Sequence, residues 1–346
     1  MAIAVLFTCT AIFSYSSDSS TAKSVELEYT NKIFNKNAVL DINIEIAEDD
    51  WNWLIENAIK EEYRSCNITI NGETYKHVGI RPKGNSSLTQ VYRDENTDRY
   101  SFKISFGKYI KGQTLYGLSK LALNNVISDP TYMKEYFSYN IMTAMGVPSP
   151  AYTYANITIN GQPWGLYLAV EIIDRSLLER YYGVGKYHLY KPEPMDIAGG
   201  GELSRMKERQ EFFQSNKDNQ TNPNIPNVPN IQKPEQAEPK PMDDIDNADN
   251  IRENRDRMGG IGGIGGMGRG GNSGGANLKY IGDNSKSYWA IGNNAVLKTT
   301  GDNDLKRVIT MIKSLNNGEN LETYLDVDEI LRYFAVNTFL INLDSY

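Results

Sequence analysis

The sequence predicts an α+β chain: an N-terminal half built on an antiparallel sheet with one main helix, then a mainly helical half broken by a long low-complexity insertion. Three observations carry this. The hexapeptide Asn-Ile-Thr-Ile-Asn-Gly occurs at Asn67–Gly72 and again at Asn156–Gly161, and Asn-Gly between alternating apolar runs is a strong hairpin signal. Tyr100–Phe106 alternates without a break, as a strand with one buried face does. After Asp302 the apolar period becomes that of amphipathic helices.

Taken in order, Met1–Phe13 is nearly all apolar and is followed by small polar residues. Thirteen residues are too few to span a bilayer, so residues 1–30 read as an export signal without its basic end, plus a polar linker, and no transmembrane span is expected. Asp41–Ile46 alternates as a strand. Asp49 or Asp50 then caps a helix over Trp51–Lys60 whose Trp51, Leu54, Ile55 and Ala58 share a face. The two hexapeptides predict two similar hairpins in one sheet. Between them Tyr100, Phe102, Ile104 and Phe106 point one way, which leaves Lys103 mid-strand on the polar face, either solvated or lining a cleft.

The main helix is punctuated by Asp129 as N-cap, Pro130 at its first position, Gly146 past its end and Pro148 beyond. Met133, Tyr136, Phe137, Ile141 and Ala144 form its apolar stripe, and Glu135 lies opposite, facing solvent or a strand lysine across a cleft. Asn216–Pro241 then holds six prolines, and Gly259–Gly275 holds eleven glycines in seventeen residues, so neither stretch can bury enough apolar surface to order itself. Residues 196–276 are therefore expected to form a disordered insertion, with a helix over Glu202–Ser215. Asp302–Leu315 reads as an amphipathic helix. Asp328–Leu343 is apolar almost all round, which predicts a helix buried at the centre of a helical layer, running into Asn342–Tyr346.

Composition bounds the chemistry. A 346-residue chain with net charge −7 and pI near 5.1 is no nucleic-acid binder, so any cationic site is local. Cys9 and Cys66, with His77 and His188, make neither a disulfide framework nor a zinc site. The richest stretch is Val78–Leu88, where a strand runs into a turn with the composition of an anion cradle. Gly84 admits close backbone approach, Asn85, Ser86 and Ser87 add neutral donors, and Arg81 and Lys83 bring positive charge, although the Walker pattern is not matched.

Val78–Leu88, Leu121–Asn125 with Asp129-Pro130, Met145–Pro148, Asn160-Gly161 through Gly165–Glu171, and Asn342–Tyr346 together resemble the CotH kinase family of spore-coat and surface proteins, and the glycine run followed by Ala276–Tyr280 resembles its clostridial members. The resemblance covers about Val39–Tyr346. It implies an atypical protein-kinase-like bilobal fold: N-lobe and hinge in 39–195, the insertion, and C-lobe helices in 277–346 ending at the catalytic-loop aspartate. It also implies transfer of the ATP γ-phosphate, with Mg²⁺ or Mn²⁺, to Ser or Thr of coat or surface proteins, at the spore coat or cell surface. By that resemblance Arg81 and Gly84–Ser87 cover the phosphates, Lys103 is the strand lysine, Glu135 its helix partner, Glu171 the start of the hinge and Asp344 the catalytic aspartate. Family members continue into a Pro-Trp-Asp metal motif beyond Tyr346. None of the present residues is thus assigned to metal, and the chain reads as a truncated, inactive form or as a non-catalytic assembly scaffold.

Overall fold

The computed structural model describes residues 27–127, 129–192 and 274–342. Residues 1–26 of the expected export signal and linker, nearly all of the expected insertion, the helix expected at Glu202–Ser215, and Asp344 lie outside them. All the described residues fall in one compact unit. Seven strands form a closed barrel: β1 Leu40–Ile46, β2 Arg64–Ile70, β3 Glu73–Lys83, β4 Ser101–Ser105, β5 Lys120–Asn124, β6 Tyr152–Ile159 and β7 Gln162–Glu171, in the order β1-β2-β3-β4-β5-β7-β6.

The expected α+β order of a sheet-rich first part and a helical second part is present, but the sheet is a closed barrel with one parallel pair and not the antiparallel lobe of a kinase-like bilobal fold. Both hexapeptides do form hairpins, with Asn71 (φ 48), Gly72 (φ 88), Asn160 (φ 50) and Gly161 (φ 76) supplying the left-handed turn pairs that a two-residue hairpin needs. Each hairpin also lends one strand to β1, antiparallel on the β2 side (Ile44↔Ile68) and parallel on the β6 side (Ile44↔Ile159). With both edges of β1 used, the sheet rolls up and exposes no edge. The inner wall is apolar, with Ile42, Ile44, Ile68, Ile80, Phe102, Ile104, Leu121, Leu123, Ile157 and Tyr167 all buried.

Four helices flank the strands: α1 Glu28–Lys32, α2 Glu48–Glu56, α3 Ser86–Arg93 and α4 Lys134–Ala144. Tyr29 of α1 is buried in the barrel core, so the fold begins within the expected 1–30 linker. Helix α2 starts earlier than Trp51 and without a side-chain cap, and it buries Leu54 as expected. Helix α4 starts at Lys134, not Pro130. Asp129 still serves its start, since its carboxylate accepts the Lys134 N–H at 2.8 Å. The buried face of α4 is Tyr139 and Met142, while Met133 and Phe137 stay 45% and 46% exposed. The wall beneath carries Tyr152 and Tyr154, and Tyr136 stacks on Tyr154 with ring centroids 5.1 Å apart, so of the predicted stripe it is Tyr136, joined by Tyr139 from outside the stripe, that makes this contact.

Beyond β7, α5 Arg175–Tyr182 is followed by the segment from Gly274. Gly274 and Gly275 are buried against Trp289 and Tyr288, so packed structure is present before Asn277, within the expected 196–276 insertion. Then come α6 Trp289–Gly292, α7 Asp302–Asn317, α8 Leu321–Tyr324 and α9 Val327–Phe339. Helix α7 buries Leu305, Val308, Ile309, Met311 and Ile312, as its period predicts. Helix α9 departs from expectation. Only Val336 and Asn337 are buried in it, and Leu331 is 61% and Phe339 74% exposed among the described residues.

Candidate functional site

Side chains alternate across a barrel wall, so the odd positions of β3 and β4 point away from the apolar interior. Register sets Arg81 opposite Lys103 and Lys83 opposite Ser101, and it sets Ser105 opposite Lys120 on the next strand. Lys191, after β7 and α5, approaches the same wall closely enough to repel both Lys83 and Lys103. Arg81 is tied to Glu61 at 2.6 Å and to the Pro82 carbonyl at 2.8 Å. Lys103 has no hydrogen-bond or ion-pair partner among the described residues. Partial burial and the charges of Arg81, Lys120, Lys191 and Lys83 push its ammonium down to about 8. A half-buried cation ringed by cations, with no carboxylate paired to it among the described residues, is an arrangement that an anion would stabilise.

Glu135 does not pair with Lys103, as the family resemblance implied. Its carboxylate Oε1 accepts from Asn124 Nδ2 at 2.6 Å and from the Tyr139 hydroxyl at 2.9 Å. Asn124 Oδ1 in turn accepts from Lys83 Nζ at 3.0 Å. Helix α4 is therefore linked to a strand lysine, but the lysine is Lys83 on β3 and the link runs through an amide. Burial lowers the Lys83 ammonium and raises the Glu135 carboxyl, and in each case the partner's opposite charge counters the shift.

Gly84 precedes α3 in a left-handed conformation (φ +130), and a Cβ there would lie 2.6 Å from Ser87 Oγ. Ser86 and Ser87 are the first residues of α3, so the expected turn is the entry to a helix, with the Asn85 carbonyl accepting the Thr89 N–H at 3.0 Å. Glu171 is buried at the end of β7, and its carboxylate is fully engaged. The Tyr29 hydroxyl donates to one oxygen, and Arg180 (2.5 Å) and the Ala151 N–H (2.9 Å) donate to the other. The Glu171 backbone N–H is used as well, donating to the Ala151 carbonyl at 2.8 Å. Among the described residues no group of three or more His, Cys, Asp or Glu side chains is arranged to hold a metal ion, and Asp344 lies outside them.

The CotH kinase protein family matches residues 80–257 and 275–346. The chain belongs to the CotH kinase family. Inner spore coat protein H-like protein of Bacillus subtilis (strain 168) is 33% identical over 111 residues, which are 32% of this chain and 34% of that relative. The chain thus spans about a third of that relative's length. The CotH kinase match contains Arg81, Lys83, Lys103, Lys120, Asn124, Glu135 and Lys191, so the cationic wall lies within it. Sequence reasoning missed Lys120, Asn124, Lys191 and Glu61 as site residues. For Lys120 and Asn124 a signal existed: Lys120-Leu-Ala-Leu-Asn124 alternates, which sets both on the polar face of a strand. For Lys191 and Glu61 only the closure of the fold brings them near.

Proposed function

We propose that this chain is a CotH-like protein kinase of the spore coat or cell surface that transfers the ATP γ-phosphate to Ser or Thr of coat or surface proteins. One observation carries the reading. Among the described residues Lys103 has no partner, and it is half-buried amid Arg81, Lys83, Lys120 and Lys191, on a chain whose net charge is −7. Concentrating cations on one wall of an acidic protein costs folding energy, and a polyphosphate recovers it by neutralising them.

In phosphoryl transfer, charge spreads over the equatorial oxygens of the transferred group, and catalysis is mostly positioning and electrostatic stabilisation. Lys83, Lys103, Lys120 and Lys191 supply that stabilisation, and Gly84–Ser87 supply neutral donors at the start of α3. Asp344 is assigned the acceptor hydroxyl, which it orients and deprotonates. Mg²⁺ or Mn²⁺ is expected with ATP. The described residues offer it no ligand set, so no step is assigned to it.

The test is calorimetric nucleotide binding beside transfer of radiolabelled γ-phosphate to a Ser-rich coat protein. In a longer version that carries the family's Pro-Trp-Asp metal motif, Asp344→Asn is expected to keep ATP affinity and to cut transfer by orders of magnitude. Transfer at the parent rate by Asp344→Asn would sink that residue's assignment. If the parent bound no nucleotide, a non-catalytic assembly scaffold on the same fold would replace the kinase reading.

A further inference from the structure

Asn124, the last residue of β5, and Asn125, which follows it, have different work. Asn125 is buried and serves the fold. Its Nδ2 donates to the Arg99 carbonyl at 2.6 Å, its N–H donates to Ser101 Oγ at 3.0 Å, and its Oδ1 accepts the Ile127 N–H at 3.3 Å. Asn124, one residue earlier, projects to the opposite side of the wall, where its amide stands between the Lys83 ammonium and the Glu135 carboxylate.

We infer that Asn124 is a positioning residue that aims the Lys83 ammonium at an anionic ligand on the cationic wall and couples that aim to helix α4. This deepens the phosphate-site reading and rests on it. Three points of chemistry support it. An amide has an acceptor and a donor, so it can serve an ammonium and a carboxylate at once. A flipped amide would set N–H groups against the ammonium and oxygen against carboxylate, so the partners fix its orientation. A lysine ammonium has three N–H donors. With Asn124 as its only hydrogen-bond partner among the described residues, Lys83 keeps donors for an anion, whereas a carboxylate in direct contact would compete with that anion for the same charge. Finally, Glu135 lies in the first turn of α4 and is also held by Tyr139 of that helix, so a shift of α4 moves the carboxylate that accepts from Asn124 and with it the lysine.

The experiment measures binding of inorganic triphosphate and of ATP by calorimetry to the full chain, its Asn124→Ala and Lys83→Met variants, and the double variant. Melting by circular dichroism confirms that each is folded. Asn124→Asp, which keeps the side chain's shape, is the second probe should Asn124→Ala fail to fold. Asn124→Ala is expected to weaken triphosphate binding about tenfold, and to have no further effect once Lys83 is Met. Asn124→Asp is expected to weaken it as well, because a carboxylate beside Lys83 competes with the anion. Parent-like triphosphate affinity in either Asn124 variant overturns the relay, as does a full additional loss in the Lys83→Met background. Triphosphate binding that depends on Asn124, without any binding of ATP, would uphold the relay while removing the kinase reading. Failure of the parent to bind either ligand removes both.

Discussion

Arg81 and Lys103 are direct cross-strand partners, so two cations face each other on the outer side of the barrel wall. Like charges at directly opposed positions destabilise a sheet. Glu61 neutralises Arg81, but nothing among the described residues does so for Lys103. The pair is therefore a cost to the fold that an anion would remove.

It follows that Lys103→Met should stabilise the ligand-free protein by about 1 kcal/mol while weakening triphosphate binding about tenfold. Denaturant melts and calorimetry on the same preparation check both halves. A variant that loses stability would show that Lys103 packs or pairs favourably after all.

The pH dependence has opposite signs for stability and for binding. The Lys103 ammonium is held at about 8, below its unfolded value of 10.5, so between those values the unfolded chain binds more protons. This group makes the protein more stable as pH rises through that window. Anion binding needs the ammonium and should fall as pH rises through about 8. Triphosphate affinities at about pH 7 and about pH 9.5, with Lys103→Met as control, decide it. An equal drop in the variant would assign the titration to another group.

Glu171 is the buried carboxylate on which Tyr29, Arg180 and the Ala151 N–H converge. Arg180→Ala leaves that charge without its cation and should cost about 3–5 kcal/mol in a urea melt. Adding Glu171→Gln should recover part of the loss, since the buried charge is then gone. A single variant within about 1 kcal/mol of the parent would mean that solvent reaches Glu171.

Asn71 and Asn160 bind opposite ends of β1. Asn71 Oδ1 accepts the Asp41 N–H at 3.1 Å, while Asn160 accepts the Ile46 N–H at 2.9 Å and donates Nδ2 to the Ile46 carbonyl at 3.0 Å. Both have left-handed backbones. Asn160→Ala should therefore cost about 2 kcal/mol and Asn71→Ala about 1 kcal/mol, in that order, by denaturant titration.

Deleting residues 216–271 should leave the melting curve nearly unchanged, because closure entropy varies only slowly with loop length. Extending the deletion through Gly275 should destabilise the helical part, since Gly274 and Gly275 pack against Trp289 and Tyr288. A large loss from the shorter deletion would show that the insertion packs.

The sequence by itself determined the local elements. Asn-Gly in a left-handed turn, strict alternation at Tyr100–Phe106 and the period of Asp302–Leu315 are properties of neighbours along the chain, and each appears in the structure. So does the polar face of β4 that carries Lys103. Closure of the sheet was decided only in three dimensions. The parallel β1–β6 pair joins segments over a hundred residues apart, and no local periodicity encodes which edge a hairpin will meet. The choice of lysine was decided there too. Lys83 and Lys103 both lie on polar faces of neighbouring strands, and which one Glu135 reaches depends on where α4 crosses the wall. Tyr136 and Tyr139, packing on Tyr152 and Tyr154, set that crossing, and it puts Asn124 between Glu135 and Lys83. Helix α9 makes the same point in reverse, since an apolar sequence states what a helix can bury but not what will cover it.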